Sequence, residues 1–254
     1  QGLFSLRYAN GAMARLVGVS RQEMSKDEIA SLFTSGPTDW LEQLRQAALG
    51  QEETILHLHD LSTGKLFQVI GFPCGEELCG CLFVDESSLV QAQETLTYLS
   101  EHDLLTGINN RNSYFSRVEE IAKHPRKYLG IGFLDINALK SINDTHGPQA
   151  GDQVILFLVR QLKRYFPMES LYRISGDEFL IIDDNDERRI FLDKMQGLHE
   201  DLWQGNHFIA SCGFIWEEEP RSFLTLINKA EELMRMDKST YYIKTDATET
   251  AGST

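Results

Sequence analysis

Residues 128–134 form an apolar run, Tyr-Leu-Gly-Ile-Gly-Phe-Leu, that ends on a carboxylate, Asp135. A short apolar run of this kind is a buried strand, and the acid that closes it stands at the rim of a core. The patterns around it restrict the fold further. From Asp103 onward they predict helix, strand, helix, hairpin, helix, strand, helix. The helix after Asp135 carries Ala150, Val154, Phe157, Leu158, Leu162 and Tyr165 on one face. Strands over 171–174 and 179–182 flank the turn Ser175-Gly176-Asp177-Glu178, and their apolar residues place the hairpin at the centre of the sheet. A helix over 186–198, a strand over 208–216 and a last helix marked by Phe223, Leu226, Ile227, Ala230 and Met234 complete the series.

Upstream the elements are shorter. Helices over 10–17 and 39–49 precede strands over 54–60 and 66–72, which flank Ser62-Thr63-Gly64, and a further strand follows over 78–84. This reads as a small α+β domain with an antiparallel sheet, residues 1–86. From Ser87 to His102 there is neither Gly nor Pro, and Leu89, Ala92, Leu96 and Leu99 recur at helical spacing. Residues 87–102 are therefore a linker helix. Its seam either packs on its own domain or forms a coiled-coil joint between two subunits, and both readings stand. Residues 103–254 form the second domain, and 254 residues suit two domains of modest size.

Lys and Arg number 24 against 38 Asp and Glu, a formal net charge of −14. Such a field repels polyanions and anionic bilayers, so neither a nucleic-acid polymer nor direct membrane contact is expected of this fragment. A small phosphorylated ligand is still allowed, because a bound divalent cation and a few placed cations reverse the local potential. The four cysteines, Cys74, Cys79, Cys81 and Cys212, include no CxxC pair and read as reduced, buried thiols of a cytoplasmic protein. No run of 18 apolar residues occurs. The chain begins at Gln1, which reads as a fragment, and an upstream membrane anchor is compatible with that start.

If the strand ending at Asp135 neighbours the hairpin, Asp135, Asp177 and Glu178 converge. Hard oxygen ligands at such a point suit Mg²⁺, which takes a few carboxylates plus substrate phosphate oxygens. A Gly-Asp-Glu turn alone is a weak signal, since Gly and Asp are ordinary turn residues. The flanking motifs add to it: 105–111 (Leu-Thr-Gly-Ile-Asn-Asn-Arg), 135–144 (Asp-Ile-Asn-Ala-Leu-Lys-Ser-Ile-Asn-Asp), 147–152 (Gly-Pro-Gln-Ala-Gly-Asp), 173–179 (Arg-Ile-Ser-Gly-Asp-Glu-Phe), then Ser211-Cys212-Gly213, Ala230-Glu231 and Lys238. In order and spacing this resembles the GGDEF family of diguanylate cyclases, from Asp103 to Tyr242.

The resemblance implies an α+β domain with a central, mainly antiparallel sheet and surrounding helices. It also implies condensation of two GTP, one held by each of two facing domains, into cyclic di-GMP and pyrophosphate, with Mg²⁺ or Mn²⁺ as cofactor. Asp135, Asp177 and the carbonyl of Ile136 match the metal ligands. Glu178 matches the residue that helps to deprotonate the attacking 3′-hydroxyl or holds a second metal. Asn143 and Asp152 match the guanine readers, and a carboxylate that accepts from the guanine ring N–H and amine is left unpaired by adenine. Lys140 and Lys238 match phosphate contacts, the N–H groups of Ala138 and Leu139 would cradle the terminal phosphates, and Ser175 and Gly176 stand against the substrate.

This chain departs from the pattern in places. Ser175 replaces the first glycine of the signature, Pro148 a usual His and Leu139 a usual Phe. Tyr241 and Tyr242 fill the first positions of a closing Gly-Arg-Asn, with Lys244 near. These changes predict reduced or partner-dependent activity, and the alternative is a catalytically degenerate GGDEF module that binds GTP and acts in regulation or interaction. Phe166 and Glu169 replace the usual Arg and Asp of the inhibitory product site, so no product inhibition is expected there. The segment Tyr8-Ala9-Asn10-Gly11-Ala12-Met13-Ala14-Arg15-Leu16-Val17-Gly18-Val19-Ser20, with Glu23-Met24, resembles the opening of a PAS sensory domain. Its ligand is not readable: His57 and His59 share a strand face and read as exposed strand histidines. The resemblance thus implies a PAS-regulated homodimer.

Overall fold

The computed structural model describes residues 7–17, 40–50, 52–60, 64–75, 78–203 and 208–251. The chain divides into two compact units, residues 1–95 and 96–254. Ser62, Thr63, Gly18, Val19, Ser20, Glu23 and Met24, used above for a turn and a family resemblance, lie outside the described residues.

In the first unit, α1 (Gly11–Val17) and α2 (Trp40–Gly50) precede β1 (Thr54–Asp60), β2 (Lys65–Gly75) and β3 (Leu78–Asp85), which form an antiparallel sheet in the order β1-β2-β3. Period-two alternation buries Leu56 and Leu58 of β1 with Phe67 and Val69 of β2 against Trp40 and Leu44 of α2. His57 is exposed and His59 half-buried on the opposite face of β1, and His57 lies 3.8 Å from a Glu86 carboxylate oxygen. The expectation of four buried thiols is corrected: Cys74 and Cys81 are exposed, Cys79 is half-buried and only Cys212 is buried. Cys74, Cys79 and Cys81 lie toward the far end of the β2–β3 ladder, where Cys79 packs against the α2 core and Cys74 and Cys81 are left exposed.

Helix α3 (Ser87–Glu101) holds the boundary between the units and has no buried residue. Leu89, Leu96 and Leu99 are exposed at 63%, 67% and 44%, so the seam does not pack on its own chain among the described residues.

The second unit runs α4 (Arg111–Lys123), β4 (Tyr128–Ile136), α5 (Leu139–His146), α6 (Pro148–Tyr165), β5 (Leu171–Arg173), β6 (Glu178–Asp183), α7 (Arg188–Leu202), β7 (Ala210–Glu218) and α8 (Phe223–Ala251). The sheet order is β5-β6-β4-β7, with every neighbouring pair antiparallel. Half of the hairpin expectation is therefore corrected: β6 is central, but β5 is a three-residue edge strand.

Helices cover both faces of this sheet. Leu134, Ile136, Phe179 and Ile181 pack under Ile155, Leu158 and Leu162 of α6 and Phe191, Met195 and Leu198 of α7. Leu129, Ile131, Phe133, Leu180 and Ile182 pack under Ile121 of α4 and Phe223, Leu226, Ile227, Ala230 and Met234 of α8. Each fully buried Leu, Ile or Phe contributes roughly 1.5–3 kcal/mol of transfer free energy. The alternation continues past the core, so Asp135 follows Phe133 onto the α8 face, and Glu178 precedes Leu180 on that same face. No helix among the described residues is long and apolar enough to cross a membrane.

Gly213 sets how closely α8 approaches. A Cβ there would lie 2.2 Å from the Ala230 carbonyl oxygen and 2.2 Å from the Met234 nitrogen, both helix backbone atoms that cannot swing aside. Gly213→Ala is expected to lift α8 from β7 and to cost about 1–3 kcal/mol or more, read as a lowered midpoint in urea unfolding; an unchanged midpoint would show that the helix does not need this contact.

Candidate active site

The site begins with strand register. In the β4–β6 ladder Asp135 is the partner of Glu178, and the ladder is extended into the turn by a hydrogen bond of 2.9 Å from the Ile136 N–H to the Asp177 carbonyl oxygen. Residues 42 and 43 positions apart in the chain are thereby held at the same end of two neighbouring strands. Asp135 is buried at 8% exposure, while Asp177 and Glu178 are half-buried.

This crowding shifts proton affinity. Burial holds the Asp135 carboxyl above its ordinary range; the Lys238 ammonium opposes the shift and the Asp177 charge adds to it. Burial also lifts Glu178, and the negative charges of Asp177, Asp135 and Glu231 push in the same direction. Lys238 of α8 donates to Asp135 Oδ1 at 2.5 Å, a contact that the close seat of α8 over Gly213 permits. Lys238, the lysine expected at a phosphate, pairs here with one acid of the cluster.

A second group of residues lies on α5 and α6. Ala138, at the N-terminal boundary of α5, has a left-handed backbone with φ of 54°. It leads into the first turn of the helix, whose initial N–H groups, including that of Leu139, have no partner within the helix. Lys140 on that turn is exposed. Asn143 Oδ1 is buried with no hydrogen-bond partner. Its amide lies directly over Gly151, where a Cβ would sit 2.0 Å from Oδ1, and so it is packed beside the residue that precedes Asp152. A buried acceptor left without a donor costs about 1–3 kcal/mol, which a donor-bearing ligand would recover.

The structure therefore gathers Asp135, Asp177, Glu178 and Lys238 at one end of β4 and β6, and Ala138, Leu139, Lys140, Asn143 and Asp152 on and around α5 and the start of α6. Ser175 and Gly176 are exposed at the turn, and a Cβ at Gly176 would meet nothing within 4 Å. Phe166 is a core residue at 2% exposure, tilted against Phe191 with ring centroids 5.9 Å apart, and Glu169 is exposed.

Sequence reasoning quoted Asp103, Asn110, Arg173 and Glu231 without giving them roles. Arg173 Nη1 donates to Asp103 Oδ1 at 3.0 Å, and its Nη2 donates to the Gly176 carbonyl oxygen at 2.8 Å. Burial alone would raise the Asp103 carboxyl, yet hydrogen bonds from Thr106 and Arg173 carry it below its ordinary range. Asn110 caps α4 by accepting from the Asn112 and Ser113 N–H groups, and its amide donates to the carbonyls of Ser100 and His102. The spacing Asp103-x-x-Thr106 was the available signal for the first of these, because Thr106 bonds Asp103 through both its N–H and its hydroxyl.

Residues 100–241 match the family model "Diguanylate cyclase, GGDEF domain". An uncharacterized protein of Mycobacterium tuberculosis is 37% identical over 103 residues, covering 40% of this chain and 16% of that protein. An uncharacterized protein of Sinorhizobium fredii is 31% identical over 117 residues, covering 43% of this chain and 14% of that protein. The chain thus spans 14–16% of the length of these curated relatives. Among solved structures, the coiled coil and GGDEF domain of DgcB from Caulobacter crescentus, in complex with c-di-GMP, is similar in fold: TM-score 0.52, 20% identity, 60% of this chain and 88% of that one.

The raised affinity of Glu178 for its proton makes a prediction of definite sign. The folded protein holds this proton more tightly than the unfolded chain, so stability falls as pH rises from the ordinary glutamate range through the higher range of the folded carboxyl. Metal-free Glu178→Gln should therefore melt at a higher temperature than the parent at neutral pH, with the difference shrinking in acid. Calorimetry showing equal melting temperatures at both pH values would mean that neither burial nor the neighbouring acids raise this carboxyl in the folded protein.

Proposed function

The chain belongs to the GGDEF family, and on that premise we propose that its second unit is a diguanylate cyclase that joins two GTP into cyclic di-GMP. The observation that carries this reading is the Asp135–Glu178 register, which brings acids from two strands to one point beside a buried, unpartnered amide oxygen on Asn143.

The donor set fits a divalent cation. Asp135, Asp177 and Glu178 are hard oxygen donors whose mutual repulsion a cation would relieve, and Asp135, Asp177 and the Ile136 carbonyl would hold it. Mg²⁺ or Mn²⁺, when bound, supplies positive charge that offsets the triphosphate. The protein's own groups do the rest. Asn143 and Asp152 select guanine by presenting acceptors to its ring N–H and amine, and adenine would leave the carboxylate unpaired. The N–H groups of Ala138 and Leu139 and the Lys140 ammonium hold phosphate oxygens. Lys238 exchanges Asp135 for phosphate as substrate enters.

Glu178, whose proton affinity burial and the neighbouring acids raise, takes the proton of the 3′-hydroxyl. That oxygen attacks the α-phosphorus of the second GTP, a new P–O ester bond forms, and the bond to pyrophosphate breaks in line. The same step in the opposite sense closes the ring. Since each unit holds one GTP, two units must face each other, so turnover depends on their encounter. The exposed Leu89, Leu96 and Leu99 of α3 support a coiled-coil joint that raises the local concentration of such pairs.

For the first unit we propose a PAS-like sensory role, supported by its antiparallel sheet and the motif opening at Tyr8; its ligand is open. The proposed nucleoside triphosphate substrate supports a cytoplasmic location for the second unit. The burial of Phe166 in the core favours the absence of a product site there. A second reading, a degenerate GTP-binding regulatory module, is favoured by Ser175, Pro148 and Tyr242.

Incubation with GTP and Mg²⁺ should yield cyclic di-GMP by chromatography, and Asp177→Ala with Glu178→Ala should abolish it. GTP bound without product at any protein concentration would establish the degenerate reading instead. Leu96→Glu with Leu99→Glu should lower the rate per subunit severalfold while GTP affinity is kept, and an unchanged rate would remove α3 from the mechanism.

A further inference from the structure

On the far side of β7 from β4, three side chains that no step above uses meet at one point. β7 is an edge strand, and the N–H of Cys212 donates to Asp237 Oδ2 of α8 at 2.9 Å. The other carboxylate oxygen, Oδ1, lies 3.3 Å from His199 Nε2 of α7. The Cys212 sulfur completes the group, and the three ligand atoms all lie within 4.8 Å of one another.

We propose that His199, Cys212 and Asp237 form a binding site for a divalent transition metal of the zinc class, with water as the fourth ligand. The donor set is nitrogen, sulfur and oxygen, which suits borderline-soft Zn²⁺ and disfavours Mg²⁺. Nitrogen and oxygen ligands each about 2.0 Å from zinc at the tetrahedral angle stand roughly 3.3 Å apart. The observed separation of His199 Nε2 and Asp237 Oδ1 is that value, 3.3 Å.

The surroundings fix the ligands. The Cys212 N–H anchors one oxygen of Asp237 and leaves the other for the metal, the supporting arrangement that orients a ligating carboxylate. The His199 ring stacks on Trp203 with centroids 5.1 Å apart. The His199 side chain is 32% exposed and that of Asp237 19%, so a metal has an entry path although the thiol is buried. Binding exchanges the thiol proton for the metal: the sulfur–hydrogen bond breaks, the sulfur–metal bond forms, and the proton leaves to solvent with no change of oxidation state. Burial and the Asp237 charge hold the Cys212 thiol above its ordinary range in the metal-free protein.

The test uses the whole chain, stripped by chelation and titrated with Co²⁺ as a spectroscopic probe. One equivalent should give a thiolate-to-cobalt charge-transfer band that equimolar Zn²⁺ bleaches. A variant with Cys74, Cys79 and Cys81 all changed to Ser should keep the band, and Cys212→Ser should lose it. His199→Gln retains the thiol at a partly exposed position and should weaken cobalt affinity at least about tenfold, which keeps the test decisive if Cys212→Ser does not fold. Asp135→Asn should keep the band, separating this site from the oxygen-lined one. Cobalt bound without a thiolate band, a band that survives Cys212→Ser, or unaltered affinity in His199→Gln would overturn the assignment.

Discussion

Two antiparallel strands, β4 and β6, meet so that Asp135 stands opposite Glu178, and the second unit's chemistry depends on that register. A slip of one residue would turn the whole apolar set of β4 to the wrong face. It is prevented because Leu129, Ile131 and Phe133 on one side and Leu134 and Ile136 on the other are each claimed by a helical layer. The hydrophobic effect thus sets the position of charged groups that it would not itself choose to bury. On the α8 face Asp135 and Glu178 lie one step past the last core residues, Phe133 and Leu180, and the sheet delivers them there without any specific attraction between them.

The same placement leaves a cluster under tension. Burial and like charge oppose ionisation of Asp135 and Glu178, and one ammonium, Lys238, is drawn in as partial compensation. Such a group gains from any cation it can exchange for its own lysine, the metal of the proposed metal-bound triphosphate among them. Beside α5 the comparable device is an omission: Gly151 leaves room for the Asn143 amide, whose oxygen lacks an internal donor.

Much of this was legible in the sequence. The apolar run ending at Asp135 and the turn at Gly176 gave the two strands, because period-two burial needs only local pattern. The helices over β4 and β6 were legible from their apolar stripes. What stayed hidden depended on tertiary approach. That Lys238 reaches Asp135 follows from Gly213 admitting α8, and nothing in the spacing of 103 residues between them says so. That β5 is an edge depends on which strand pairs with which, and apolar flanks cannot decide it. The cysteines misled for a related reason: Cys74 and Cys81 sit among apolar neighbours in the chain, yet both are exposed, and only Cys79 of the three packs against the α2 core.

The guanidinium of Arg173 touches both Asp103, just past the end of α3, and the carbonyl of Gly176 in the signature turn. Asn110 meanwhile clamps the last carbonyls of α3 to the start of α4. The end of α3, the Asp103 loop and the signature turn are thus joined through side chains, with one planar cation as the link and no strand of the sheet between them.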